Sequence, residues 1–256
     1  MNICVVGTGY VGLVTGACFA EFGVTVICAD KDADKIARLE RGEMPIYEPG
    51  LEQLVARNVA QGRLSFTTDT AAAVRSSLVV FIAVQTPPMD DGSTDLGAVG
   101  AVAREVGTAL NGYKVIVTKS TVPVGTSVKV ADWVREGVAE AGGEPNFSVA
   151  SNPEFLREGA AIGDFMRPDR VVIGADDDAS MAIIQDLYRP LFLNETPFVQ
   201  TSVATAELTK YAANAFLATK ISFINEMANL CEAVGGNVQE LARGIGLDGR
   251  IGMKFL

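Results

Sequence analysis

Gly7-Thr8-Gly9-Tyr10-Val11-Gly12 is a glycine pattern followed, eighteen residues after Gly12, by Asp30. In a strand-turn-helix such glycines let the backbone approach a pyrophosphate. The helix N-terminus then faces the anion, and an acid ending the next strand can take ribose hydroxyls. That context is present: NICVV precedes the turn, a helix-like stretch runs from it to Gly23, and VTVICAD ends on the acid. An ordinary βαβ turn is the alternative. An acid at this place favours NAD over NADP, whose 2′-phosphate it would repel. Ala83-Val84-Gln85-Thr86-Pro87-Pro88 and Lys119-Ser120-Thr121-Val122-Pro123 each follow a strand. Ligands bind at that edge of an open α/β sheet, although Pro and Thr could simply be ending strands there. Glu154 and Glu158, in NPEFLREG, would share a face if the segment is helical. A solvated helix start, with acids suiting the dipole, is the alternative. Lys210 and Asn214 form an i, i+4 pair; with Glu207 and Asn225 they fall within about 60° around a helix. They could supply charge and donors to a reacting oxygen, or belong to a structural hydrogen-bond network.

The chain contains no histidine. This removes Ser-His-Asp triads, Cys-His pairs, HExxH zinc sites and a histidine general base. Catalysis would have to use Lys, Glu, Asp, Tyr, Cys, Thr or ordered water. The four cysteines, Cys4, Cys18, Cys28 and Cys231, lie in apolar surroundings without CxxC spacing and are expected to be reduced core residues. Asp176-Asp177-Asp178 is read as a helix cap and a solvated turn.

The elements that must position these residues are short β-branched runs alternating with helical patterns. NICVVG, VTVICAD, RLSFTT, LVVFIAV, KVIVTKS, FSVAS, RVVIGA and PFVQT are the strand candidates. Mostly apolar strands separated by helices imply an α/β fold, a Rossmann-like doubly wound, mainly parallel sheet covered on both faces. This domain is expected over residues 1–201. From residue 202 the pattern becomes one helix of roughly 30 residues, about 45 Å long. It is apolar nearly all round and is expected to be buried, within a larger protein or against a second subunit. Residues 202–256 are therefore read as a long central helix and a helical region.

The net charge of −10 argues against a nucleic-acid partner. No apolar run reaches the ~18–20 residues of a membrane span. The N-terminus has no basic stretch before its apolar segment, so a cytoplasmic protein is expected.

Taken in order, GTGYVG, PIYEPGLEQL, KSTVPVGT, NPEFLREG, PDRVVIG, AELTKYAANAFLATKISFINEMANLCE and GRIGMKFL resemble the UDP-glucose/GDP-mannose dehydrogenase family over the whole chain. The resemblance implies an NAD-dependent enzyme that oxidises a sugar 6-hydroxyl to a carboxylate in two hydride transfers, through a cysteine thioester. Gly7, Gly9, Tyr10, Val11, Gly12, Asp30, Lys35, Thr86, Thr121 and Glu158 would then meet NAD. Thr121 and Glu158 would hold the catalytic water, with Glu158 a candidate base, while Lys210 and Asn214 stabilise oxyanions or position water. Glu154, Phe155, Leu156, Lys210, Asn214 and Arg250 would line the sugar site, Arg250 reaching that of a neighbouring subunit. A homodimer through helix 202–235 follows from the same resemblance, as does a preference for UDP-glucose from Arg250 in GRIG.

Two features depart from the family. Gln85 stands where a glycine is usual. The family's glycine-rich segment with the catalytic cysteine, and its C-terminal nucleotide-sugar domain, have no counterpart here. Cys231, inside the helix, does not match that motif. The chain is expected to bind NAD without completing the oxidation alone. GDP-mannose or a UDP-N-acetyl-hexosamine is the alternative substrate. A β-hydroxyacid dehydrogenase, disfavoured by NPEFLREG and GRIGMKFL, and a non-catalytic dinucleotide-binding module are the other readings.

Overall fold

The computed structural model describes residues 1–256. Its strands are β1 (Asn2–Val6), β2 (Thr25–Ala29), β3 (Leu64–Thr67), β4 (Val79–Ile82), β5 (Lys114–Thr118), β6 (Phe147–Ser151), β7 (Val171–Ala175) and β8 (Phe198–Thr201). All eight expected runs form strands. They join in one sheet of order β3-β2-β1-β4-β5-β6-β7-β8. Pairing is parallel except between β6 and β7.

The helices are α1 (Tyr10–Glu21), α2 (Ala33–Glu40), α3 (Leu51–Ala60), α4 (Thr70–Arg75), α5 (Gly97–Thr108), α6 (Thr126–Glu140), α7 (Ala161–Met166), α8 (Asp178–Leu187), α9 (Val203–Val234) and α10 (Val238–Gly246). Side chains alternate across a strand, so each central strand feeds two cores. Ile3 and Val5 join a cluster with Leu13, Phe19, Leu51 and Ile184. Cys4 and Val6 join another with Val99, Ala103, Val130 and Val134. Burial on both faces explains why these strands read as continuous apolar runs. Each large side chain sealed this way contributes about 1.5–3 kcal/mol. Asp177 caps α8, its carboxylate accepting from Ser180 N–H at 2.8 Å, as its sequence position suggested.

The chain divides into two compact units, Met1–Leu208 and Thr209–Leu256. The single long helix is present as α9, with 32 residues. The burial expected for it is not supplied by this chain: Phe216, Ile221, Phe223, Leu230 and Val234 are all exposed. No helix is long and apolar enough to cross a membrane.

Candidate functional site

The order of successive strands reverses between the parallel neighbours β1 and β4, and the crevice outside their C-terminal ends receives the turn after β1 and the loop after β4. Gly7 takes φ 103°, and a Cβ there would lie 2.5 Å from the Ala83 carbonyl oxygen. A Cβ on Gly12 would lie 1.9 Å from the Gly7 oxygen. These two glycines are required by the fold of the turn. Gly9 differs: a Cβ there would meet nothing within 4 Å. Its face is open to an approaching ligand, beside the free N–H groups that begin α1.

Asp30 closes the other side of this turn. Its Oδ2 accepts from Thr8 N–H at 2.8 Å, the Thr8 hydroxyl at 2.7 Å and Lys35 Nζ at 2.9 Å; Oδ1 accepts from Asp32 N–H at 3.1 Å. Burial raises the carboxyl pKa, but these donors together outweigh it and hold the group at about 2. Asp30 is thus ionised and oriented, able to accept from ligand hydroxyls.

The loops after β4 and β5 are tied together. The Thr86 hydroxyl donates to the Thr121 carbonyl at 2.9 Å, and the Ser120 hydroxyl to the Val84 carbonyl at 2.6 Å. Gln85 is exposed and has no positive φ, so replacing the usual glycine introduces no backbone strain there. Below them, Lys119 is buried with its ammonium donating to Asn152 Oδ1 at 2.9 Å and to the Tyr188 oxygen at 3.2 Å. Tyr188 in turn donates to Asn152 Oδ1 at 2.5 Å, and Asn152 Nδ2 to the Val172 carbonyl at 2.8 Å. Burial pushes the Tyr188 phenol up, so it stays neutral and keeps its proton for this bond. The network fixes the start of the 152–159 segment.

That segment is not helical, so Glu154 and Glu158 do not share a helix face. Side chains take the N–H groups that a helix would use. Glu154 accepts from Leu156 N–H at 2.5 Å, and Asp164 from Arg157 N–H at 2.9 Å. Asp164 also pairs with the Arg157 guanidinium at 2.5 Å. Glu158 is exposed on the turn before α7, and Glu154 is half-buried. Phe155 lies under the Arg170 guanidinium, 3.8 Å from its ring centroid. Leu156 packs against the first core cluster.

Glu48 carried no signal of its own in the sequence. It is buried, accepts from the Tyr10 hydroxyl, and accepts from Gly159 N–H and Ala161 N–H at 2.8 Å each. Tyr10 and the loop bearing Glu158 therefore meet at one carboxylate. Glu207, read as part of a polar stripe, instead caps α6. It accepts from Gly125 N–H at 2.7 Å, Ser127 N–H at 2.8 Å and the Ser127 hydroxyl at 2.7 Å.

In the second unit, Lys210 and Asn214 lie one turn apart on α9, Lys210 buried and Asn214 exposed. Arg250 is exposed and pairs with Asp248 at 2.6 Å. The turn after it is held by Lys220, whose ammonium donates to the carbonyls of Ile251 at 3.0 Å, Gly252 at 3.3 Å and Lys254 at 2.6 Å.

All four cysteines are free and buried. Burial raises the thiol pKa of Cys4, Cys18 and Cys28, that of Cys28 to about 12. None of these three is a ready thiolate.

A glycine turn at the switch point of a doubly wound sheet, with an oriented acid ending the next strand, defines a dinucleotide-binding domain. Residues 1–192 match the NAD-binding domain of the UDP-glucose/GDP-mannose dehydrogenase family, and residues 204–256 match its central domain. The chain belongs to that family. It is 59% identical to the UDP-glucose 6-dehydrogenase of Rhizobium meliloti (strain 1021), over all of this chain and 58% of that protein. A UDP-glucose dehydrogenase structure from Pyrobaculum islandicum superposes with a TM-score of 0.93 at 44% identity, covering 99% of this chain and 58% of the other. A ternary complex of GDP-mannose dehydrogenase from Pseudomonas aeruginosa superposes with a TM-score of 0.91 at 38% identity, covering 97% and 57%. The chain thus spans a little over half the length of these relatives.

Proposed function

We propose that this chain forms the NAD-binding and central parts of an enzyme that oxidises UDP-glucose to UDP-glucuronate. The observation that carries the reading is the switch-point crevice, with Gly9 open and Asp30 oriented, in a chain with 59% identity throughout to a UDP-glucose 6-dehydrogenase. NAD, when bound, supplies the hydride acceptor. In the crevice, Asp30 with Lys35 orients the ribose, and the Gly7–Gly12 turn receives the pyrophosphate. Thr86 and Thr121 flank the nicotinamide end.

Thr121 and Glu158 are proposed to hold the water that releases the carboxylate, Glu158 taking its proton. Lys210 and Asn214 stabilise developing oxyanions, and Glu154, Phe155, Leu156 and Arg250 contact the sugar nucleotide. Residues 1–201 form the cofactor domain and 202–256 the helical, dimer-forming region. Phe216, Phe223 and Leu230 recur every seven residues on α9 and are exposed, a spacing suited to a helix–helix seam. Four free, buried thiols suit a reducing cytosol.

The thioester step needs a reactive cysteine. Cys4, Cys18 and Cys28 are buried with raised pKa values, and Cys231 is buried within α9. This chain alone is therefore expected to bind NAD without completing the oxidation. Absorbance at the NADH band with UDP-glucose and NAD tests this; continuous NADH production would refute it. GDP-mannose is the competing substrate, favoured by the likeness to a GDP-mannose dehydrogenase. Competition between UDP- and GDP-sugars for the complete protein separates the two.

A further inference from the structure

We propose that Glu48 is a positioning residue that clamps the Glu154–Gly159 loop to the Gly7–Gly12 turn through Tyr10, so that loop order and NAD binding are coupled. The cofactor half of this statement rests on the NAD reading above; the clamp itself does not.

Glu48 lies in the stretch between α2 and α3, far in sequence from the groups it holds. The residue is only 5% exposed. One oxygen serves both the Tyr10 hydroxyl and Gly159 N–H, the other Ala161 N–H. The Tyr10 hydroxyl also lies 3.3 Å from the Arg157 carbonyl oxygen and 3.2 Å from Gly159 N. Burial pushes the Glu48 carboxyl up, yet the Tyr10 hydroxyl and the N–H groups of Gly159, Ala161 and Ile162 more than offset it, leaving it ionised. A buried charge with this many donors costs much to lose and fixes the geometry of all of them.

The clamped segments are the ones the site needs. Tyr10 is the first residue of α1, whose N–H groups face the crevice. Glu158 immediately precedes Gly159. The loop makes one backbone turn bond of its own, from Ala160 N–H to the Arg157 carbonyl at 3.0 Å. Side chains hold its N–H groups at Leu156, Arg157 and Gly159, from Glu154, Asp164 and Glu48 in turn, with Glu48 also taking Ala161 N–H at the start of α7. Ligand contacts that order Tyr10 would therefore order the loop, and the reverse.

Amide hydrogen exchange and NADH fluorescence titration of the whole chain test this. In the absence of cofactor, Glu48→Ala should speed exchange at Gly159 and Ala161 by roughly tenfold or more, while β1, β4 and β5 amides keep their protection. NADH affinity should fall about five- to tenfold. Glu48→Gln, which keeps one acceptor, should fall between. Tyr10→Phe leaves the carboxylate in place, should loosen Gly159 more than Ala161, and serves if Glu48→Ala does not fold. The Tyr10→Phe/Glu48→Ala pair should be no worse than Glu48→Ala alone. Unchanged exchange at Gly159 and Ala161 would overturn the clamp. Faster loop exchange with unchanged NADH affinity, or additive effects of the two substitutions, would overturn the coupling. If the unsubstituted chain fails to bind NADH, the cofactor reading and the coupling fall together, while exchange still scores the clamp separately.

Discussion

In the crevice, most of the polar side chains proposed to meet cofactor are held by neighbours in the same unit. Asp30 has Thr8, Asp32 and Lys35; Thr86 has the Thr121 carbonyl; Tyr10 has Glu48. The second unit is built differently. Asn214 and Arg250 are exposed, and α9 presents Phe216, Ile221, Phe223 and Leu230 to solvent. A crevice formed at strand ends inherits rigidity from the sheet and is organised before any ligand arrives. A helix with exposed apolar residues on several sides is organised by whatever covers it. The contrast separates a region whose polar side chains are held within its own unit from one that leaves large apolar side chains exposed.

Substitution at Gly12 presses hardest on this contrast. Gly12→Val places carbon atoms where the Gly7 carbonyl stands and should cost more than ~3 kcal/mol, read as a lost or strongly lowered thermal transition. Gly9→Ala is its counterpart. With φ −72° and open space around it, alanine should leave the melting temperature nearly unchanged while NADH affinity drops by about tenfold or more. Equal effects at the two glycines would break the distinction between a turn-building and a ligand-facing position.

Asp30 comes next. Its native pKa, near 2, lies below the ordinary value of 3.8. Its contribution is therefore present above about pH 4 and is lost as pH falls toward 2. Asp30→Asn should remove on the order of 2 kcal/mol at neutral pH and flatten the stability profile across that acid window, measured by urea denaturation.

On the second unit, Phe223→Glu should disrupt the proposed α9 dimer in sedimentation velocity while leaving NADH affinity within about twofold. A dimer that survives would mean the exposed stripe is not the seam. The smallest effect is expected at Lys220. Lys220→Met frees three carbonyls near the surface and should cost about 1 kcal/mol or less, read best as faster proteolysis around residues 251–254.

The crevice was legible in the sequence because its signal is local. Glycines at fixed spacing, a strand before them and an acid ending the next strand all lie within thirty residues. The eight strands were legible because burial on both faces leaves only apolar, β-branched residues to fill them. Glu48 was not, because its partners lie 38, 111 and 113 residues away and nothing in PIYEPG marks its acid as buried. The form of 152–159 was also hidden. Four-residue spacing of Glu154 and Glu158 suits a helix, but distant and local side chains claim the N–H groups first. Glu207 shows the same limit: its place on a polar stripe is visible, its use as the cap of α6 is not.

Sequence alone determined the αβ alternation, the dinucleotide turn, the length of α9 and the absence of histidine chemistry, since each follows from residue type and short spacing. Tertiary structure decided which carboxylates remain available. Glu48 and Glu207 are spent holding backbone, Asp30 is oriented toward the crevice, and Glu158 is left exposed. A carboxylate's role depends on which donors reach it. For Glu48 and Glu207 those donors come from segments far apart in sequence, brought together only when the chain folds.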